Sequence, residues 1–134
     1  MLPFEFTIKG PPVSAQTRNR RRLQSWKSEV TSAAQRQLTA NSSIVIDDVS
    51  VTITYYYDGE SPDVDNIIKP IQDALIGVIY NDDNQVVETK SRKRSINASY
   101  IIRGVSSVLL AAFADGNDFL HIKICLAEAS EVLD

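Results

Sequence analysis

The chain has 134 residues, with 17 acidic and 14 basic side chains and a net charge of −3. That balance excludes a uniformly basic nucleic-acid-binding domain, and no run approaches the ~20 apolar residues of a membrane-spanning helix. The length suits a single domain over residues 1–134, and because Cys125 is the only cysteine, no disulfide can form within the chain. We therefore expect a one-domain cytoplasmic protein without a membrane partner.

The charged residues are unevenly distributed along the chain. Six of the 14 basic residues lie between positions 18 and 36, and four more lie between positions 90 and 94. Between these two clusters, positions 58 to 88 hold eight acidic residues and one basic residue, Lys69. Metal ions bound to such an acidic segment would turn its local potential positive. The net charge therefore does not exclude an anionic polymer as the partner.

The first half of the chain predicts two strands separated by a helix. Phe4, Phe6 and Ile8 alternate with polar residues, which predicts a half-buried strand that ends at a Gly-Pro-Pro sequence. Apolar residues at helical spacing predict a helix over about residues 21–39. Alternation resumes at residues 50–58, which predicts a second strand that leads directly into the acidic segment.

The second half predicts two more helices and two more strands. A helix is predicted through residues 66–77, with Asn66 as a candidate for its N-cap. A strand is predicted over residues 85–95, a short helix over residues 105–114 and a closing strand over residues 119–127. This order predicts an α+β fold in a single domain, with a mixed or antiparallel sheet and helices packed on one face.

Four aspartates follow a pattern that could bring them to one point. Asp63 and Asp65 are two residues apart, and in an extended segment alternate side chains point the same way. Asp82 and Asp83 follow the predicted helix, and a chain that returns along a strand could bring Asp83 back near Asp65. Converging carboxylates are the ligands that Mg²⁺ needs, and a bound metal can activate water and stabilise charge on a phosphoryl group. The alternative is ordinary, since aspartates also cap helices and form turns.

Lys69 and Asn66 lie beside these aspartates. Lys69 follows Asp65 by four residues, so it could pair with a carboxylate or contact a phosphate as a point charge. Asn66 is either the helix N-cap or an outer partner that hydrogen-bonds the metal-binding aspartates.

The segment from residue 61 to residue 94 closely resembles the RusA family of Holliday junction resolvases. The family pattern is Asp-x-Asp-Asn, a lysine four residues after the second aspartate, Asp-Ala-Leu, and an Asp-Asp pair followed by glutamine. The matching residues here are Asp63, Asp65, Asn66, Lys69, Asp73, Ala74, Leu75, Asp82, Asp83 and Gln85. The resemblance implies a homodimeric, Mg²⁺-dependent endonuclease that cuts opposing strands of a four-way DNA junction. It also implies Mn²⁺ as an alternative cation and no small-molecule cofactor.

The resemblance assigns roles to individual residues. It implies that Asp63, Asp65 and Asp83 are the catalytic, metal-binding carboxylates, with Asp82 as an additional metal ligand. Lys69 corresponds to the essential lysine. The two basic clusters would then hold the phosphate backbone through Arg18, Arg20, Arg21, Arg22, Lys90, Arg92, Lys93 and Arg94. A solvated surface is the alternative for both clusters.

Two other functions stay open at this point. One is a metal-dependent nuclease for other branched DNA, such as flaps and forks, and the other is a non-catalytic metal-binding protein that binds DNA junctions. Two symmetric cuts need two active sites related by a two-fold axis, which favours a homodimer. The apolar segment 105–113 is one candidate for the dimer surface, and packing in the core is its alternative.

Overall fold

The structure, a computed structural model, describes residues 2–59, 63–96 and 106–128. In chain order its elements are β1 (Phe4–Lys9), α1 (Arg20–Gln37), β2 (Val49–Tyr57), α2 (Ile68–Leu75), β3 (Val86–Ser95), α3 (Ser107–Asp115) and β4 (Phe119–Leu126). A 3₁₀ turn, Asp83–Gln85, directly precedes β3. The predicted α+β class is confirmed. Within the described residues, no helix combines the length and apolar character that crossing a membrane requires.

The four strands form one mixed sheet in the order β1-β4-β2-β3. β4 pairs antiparallel with both β1 and β2, whereas β2 and β3 run parallel. Parallel neighbours cannot be joined by a tight hairpin, so the chain must cross over between β2 and β3. This crossover contains α2 and the aspartates of the acidic segment, which places them above one face of the sheet.

α1 and α2 cover that face of the sheet. α1 begins after Asn19, whose side chain accepts a hydrogen bond from the N–H of Arg22 at 3.1 Å, as an N-cap residue does. The buried stripe of α1 recurs at helical spacing and consists of Leu23, Trp26, Val30, Ala33 and Ala34. The hydroxyl of Thr31 donates to the carbonyl of Ala74 at 2.8 Å and so ties α1 to the end of α2.

α2 begins later than the sequence predicted. Its N-cap is Ile67, which makes no side-chain capping hydrogen bond, so the assignment of Asn66 as the N-cap is wrong. Pro70 occupies the third helical position, where an N–H has no partner within the helix, so the proline costs the helix little. Beyond the helix, Gly77 adopts a φ of 80°, and its N–H donates to the carbonyl of Tyr80 at 2.7 Å.

α3 lies against the opposite face of the sheet, so the prediction that the helices pack on one face holds for α1 and α2 and is wrong for α3. The ring centroid of Phe113 lies 4.8 Å from that of Tyr56 and 5.2 Å from that of Phe119. Tyr56 and Phe119 are each next in the chain to a strand residue that faces the core, so their own side chains point to the other face of the sheet. Ser106, the N-cap of α3, donates to Glu5 on the same side at 3.0 Å. No residue of α3 is buried. The described part of segment 105–113 therefore does not belong to the core of this chain.

Candidate active site

The turn that carries Asp63 and Asp65 is held from two sides. Ser91 on β3 donates to the carbonyl of Val64 at 2.6 Å, and the N–H of Ala15 donates to the carbonyl of Asn66 at 2.8 Å. Both aspartates are exposed, and within the described residues neither forms an ion pair. The backbone of the turn is thus fixed while its two carboxylates stay accessible.

α2 is fastened over β3 by a short chain of hydrogen bonds. The amide of Gln72 donates to the hydroxyl of Thr89 at 2.7 Å, and the phenol of Tyr80 donates to the carbonyl of Gln72 at 2.8 Å. Burial, together with the charges of Asp73 and Asp83, raises the pKa of Tyr80. The phenol therefore stays protonated and remains a donor at neutral pH.

Lys69 is the cation at the centre of the site. Its Nζ lies 2.9 Å from Asp73 Oδ1 and 3.9 Å from Asp83 Oδ2. The hydrogen bond and charge of Asp73, followed by the charge of Asp83, raise the pKa of Lys69. Lys27 of α1 approaches the other oxygen of Asp73 at 3.8 Å. Asp73 therefore binds two lysines, and of these only Lys69 also reaches Asp83.

A capping box holds the turn that carries Asp82 and Asp83. The side chain of Asp82 accepts from the N–H of Asn84 at 2.8 Å, and Gln85 Oε1 accepts from the N–H of Asp82 at 3.1 Å. The amide of Gln85 also donates to the carbonyls of Val45 and Asp47, at 2.8 and 2.9 Å. Gln85 thus connects this turn to the chain that precedes β2.

Gln85 has a structural role that was not predicted from the sequence. The spacing Asp82-x-x-Gln85 is the capping-box signature, and it could have predicted the local turn. No local pattern could have predicted the bonds to the chain before β2, since those partners lie 38 and 40 residues away.

The predicted metal ligands share one side of the sheet. In the described part of the chain, no group of three or more Asp, Glu, His or Cys side chains could hold a metal ion. The side chains that do meet are Lys69, Asp73 and Asp83, while Asp63 and Asp65 lie on the turn that leads into the same helix. A set of carboxylate oxygens fits a hard divalent cation such as Mg²⁺ by ligand type. Metal binding by the four aspartates stays a prediction.

The first predicted DNA-binding cluster lies near the Asp63–Asp65 turn. Arg18 and three residues of the first turn of α1, Arg20, Arg21 and Arg22, are exposed. The contact of Ala15 with Asn66 brings the loop before α1 against the turn that carries the two aspartates. Cations in the first turn of a helix oppose its macrodipole, so these arginines do not stabilise α1.

The second predicted DNA-binding cluster is divided between the two faces of the sheet. Thr89 and Ser91 contact α2 and the turn before it, so Lys93, two residues on, belongs to that side. Its Nζ lies 6.0 Å from the ring centroid of Tyr57. Lys90, Arg92 and Arg94 alternate with these residues and therefore face away from α2. Sequence spacing alone had placed all four cations in one cluster.

Comparison with known proteins identifies one family. The family model described as endodeoxyribonuclease RusA matches residues 6–101, which is more than half of the chain. The matched residues run from β1 through β3 and include the aspartate-bearing turns and α2. No curated protein matches the chain at a significant level.

Proposed function

Because the chain belongs to the RusA family of endodeoxyribonucleases, we propose that it resolves four-way DNA junctions by paired, symmetric hydrolysis of phosphodiester bonds. The observation that carries this proposal is the position of Lys69. Its ammonium group lies 2.9 Å from Asp73 and 3.9 Å from Asp83, in the helix that directly follows the Asp63–Asp65 turn. A cation fixed among accessible carboxylates is suited to a reaction in which negative charge develops on a phosphate.

In this proposal, Asp63, Asp65 and Asp83 hold Mg²⁺, with Asp82 as a further ligand and Mn²⁺ as an alternative cation. When bound, such a metal supplies an activated water and neutralises charge on the phosphoryl oxygens. The exposure of Asp63 and Asp65 supports this role, because both carboxylates are free to take a ligand from solvent.

Lys69 has two tasks in the proposed reaction. Its ammonium group is protonated at neutral pH, and Asp73 and Asp83 raise its pKa further, so it can donate hydrogen bonds to a phosphate oxygen as negative charge accumulates there. Asp73 holds the side chain by an ion pair within one turn of α2, which limits the rotamers of an otherwise flexible lysine. Asp73 is therefore a positioning residue.

The arginines at the start of α1 hold the DNA backbone beside the carboxylates. Arg18, Arg20, Arg21 and Arg22 are exposed, and their loop contacts the Asp63–Asp65 turn through Ala15. Contacts to phosphates carry no base information, but they fix the register of the duplex relative to the reacting bond. Each such contact adds to the salt dependence of binding.

A homodimer follows from the proposed reaction. Two symmetric cuts need two copies of the site related by a two-fold axis, and one chain provides one set of the proposed residues. α3 supports a dimer contact, since none of its residues is buried although most of them are apolar.

Cleavage of a synthetic four-way junction tests the proposal. Each strand is labelled in turn, and the wild type is compared with Asp65→Asn in Mg²⁺, with linear duplex and a flap as competitors. The matched control is Asp48→Asn, which neutralises an exposed aspartate outside the site. We expect paired nicks at symmetric positions from the wild type and from Asp48→Asn, and at least ~100-fold slower cleavage by Asp65→Asn.

Three results would count against parts of the proposal. Equal cleavage by Asp65→Asn and the wild type would overturn the assignment of the site. Cleavage of the flap in preference to the junction would leave the chemistry intact and overturn the substrate. Tight junction binding without cleavage at any Mg²⁺ or Mn²⁺ concentration would favour a binding protein.

A further inference from the structure

The face of the sheet opposite α1 and α2 carries a second group of cations. Lys90, Arg92 and Arg94 point there from β3, as the contacts of Thr89 and Ser91 with the other side require. On β4, Lys123 alternates with Ile122 and Ile124, which are fully buried in the core, so Lys123 also points to the opposite face. We call Lys90, Arg92, Arg94 and Lys123 the basic face.

The strand register brings these cations together from distant parts of the sequence. Thr52 of β2 pairs with Lys90 of β3 on one side and with Lys123 of β4 on the other. Adjacent strands are about 4.8 Å apart, so the two lysines are separated by about 10 Å across the sheet. Arg92 lies two residues along β3 from Lys90, and its Nε donates to the hydroxyl of Thr54 at 2.9 Å. The guanidinium group is therefore held against the sheet.

The four cations of the basic face outnumber the two acids that lie beside them. Within the described residues, none of its four members forms an ion pair, in contrast to Lys27 and Lys69 on the other side of the sheet. Two acids share the face. Glu5 pairs in register with Lys123 and is hydrogen-bonded to His121 and Ser106, and Glu88 precedes Lys90 by two residues on β3. Like charges on one sheet face repel each other, and a bound polyanion removes that repulsion.

We propose that the basic face binds the phosphate backbone of a second DNA segment, separate from the one that lies at the carboxylates. This inference rests on the proposed junction substrate, because a four-way junction presents more than one duplex arm to each subunit. Extended strands project alternate cations at intervals of about 6.6 Å, and the partly exposed hydroxyl of Thr52 lies between the two lysines as a further phosphate donor. The residue between the two lysines is Thr52, whereas the core of a protein–protein interface carries large apolar side chains. This position therefore favours DNA over a protein as the partner.

Each subunit would then hold DNA on both sides of its sheet. The arginines before and at the start of α1 would hold the duplex to be cut, and the basic face would hold a neighbouring arm. A protein of this kind distinguishes a junction from a linear duplex, because only the junction can occupy both surfaces at once.

The test neutralises Lys90 and Lys123, the two cations that pair with Thr52 across the sheet. Lys90→Gln/Lys123→Gln is compared with Lys9→Gln/Arg36→Gln, which removes the same charge from residues that do not pair with Thr52. Fluorescence anisotropy measures binding of a labelled four-way junction and of a linear duplex in EDTA, across a range of salt concentrations. Lys90→Arg/Lys123→Arg, which keeps the charge, serves as the conservative variant.

We expect Lys90→Gln/Lys123→Gln to weaken junction binding at least ~10-fold and to reduce the slope of log K against log salt by about 2. Duplex binding should change less than ~3-fold, and both the control pair and the arginine variant should stay within ~3-fold of the wild type for the junction. An unchanged slope, an equal loss for duplex and junction, or an equal loss in the control pair would overturn the inference. This readout does not involve cleavage. A wild type that binds junctions with these slopes but never cuts them would overturn the proposed catalysis without contradicting DNA binding by the basic face.

Discussion

Lys69 and Asp73 form an ion pair within one turn of α2, with 2.9 Å between Lys69 Nζ and Asp73 Oδ1. Lys27 approaches the second oxygen of the same carboxylate at 3.8 Å, but Lys69 is the one of the two lysines that also reaches Asp83. The two lysines therefore share a structural partner and differ in their access to the proposed metal ligand. That difference separates a catalytic role from a structural one.

Replacing Lys69 with methionine should slow junction cleavage by about 100-fold, because it removes a charged donor from the reacting phosphate. Lys27→Met should slow it less than ~10-fold, since Lys27 contacts Asp73 without approaching Asp83. Single-turnover cleavage at saturating protein measures both effects apart from binding. Equal losses in the two variants would show that Lys69 acts only through Asp73.

Asp82, which belongs to the capping box, and its neighbour Asp83 should respond differently to neutralisation. Asp83→Asn should slow cleavage at least ~100-fold with little change in stability, because it removes a proposed ligand from an exposed position. Asp82→Asn should slow it less, by up to ~10-fold, since Asp82 is the further ligand of the proposed set and asparagine can keep the hydrogen bond from Asn84 that the structure gives to Asp82. Cleavage rates and urea unfolding of both variants measure this contrast. Comparable loss of activity in Asp82→Asn would make Asp82 a full ligand.

Gln85 should contribute to the stability of the fold. Gln85→Ala removes two donors to the carbonyls of Val45 and Asp47 and the acceptor for Asp82, so we expect a loss of about 2–3 kcal/mol in the free energy of unfolding. Gln85→Glu keeps the acceptor and loses the donors, and it should be destabilised as well. Urea unfolding measures both variants, and a change below ~0.5 kcal/mol in each would show that the hydrogen bonds of Gln85 to the chain before β2 do not stabilise the fold.

The link between Glu5 and α3 should make stability depend on pH. Glu5 Oε2 lies 2.5 Å from His121 Nε2 and accepts from the Ser106 hydroxyl at 3.0 Å. Burial raises the pKa of Glu5, but the hydrogen bonds from His121 and Ser106, together with nearby positive charge that includes Lys123, outweigh that effect, so the pKa lies below its ordinary 4.5. The stability that this group contributes is fully present above pH 4.5 and is lost as the pH falls through the lowered pKa.

Glu5→Gln should therefore cost about 1–2 kcal/mol near neutral pH, and the difference from the wild type should shrink as the pH falls below 4.5. Glu29→Gln, at an exposed position on α1, is the matched control and should follow the wild type throughout. Urea unfolding from about pH 7 to about pH 3 measures the three proteins. A constant difference between Glu5→Gln and the wild type over that range would remove Glu5 from the acid-sensitive link.

The sequence was sufficient to predict the nuclease family and the residues that carry its motif. The residues from Asp63 to Gln85 carried the family resemblance, and the family match over residues 6–101 confirms it. The start of α2 was predicted wrongly because Asn66 is a favourable cap by residue type, whereas its carbonyl is bound by Ala15 from a loop about 50 residues earlier. Tertiary contact therefore overrode a local preference.

By itself, the sequence determined the order of strands and helices, the acidic crossover and its likeness to a nuclease family, because alternation, helical spacing and motif spacing are local properties of the chain. Only the tertiary structure decided which face each cation occupies and which carboxylates Lys69 meets. Lys90 and Lys123 are 33 residues apart in the sequence, and strand pairing places them on either side of Thr52 in β2. Register and crossover depend on packing between distant segments, and no local pattern in the sequence encodes them.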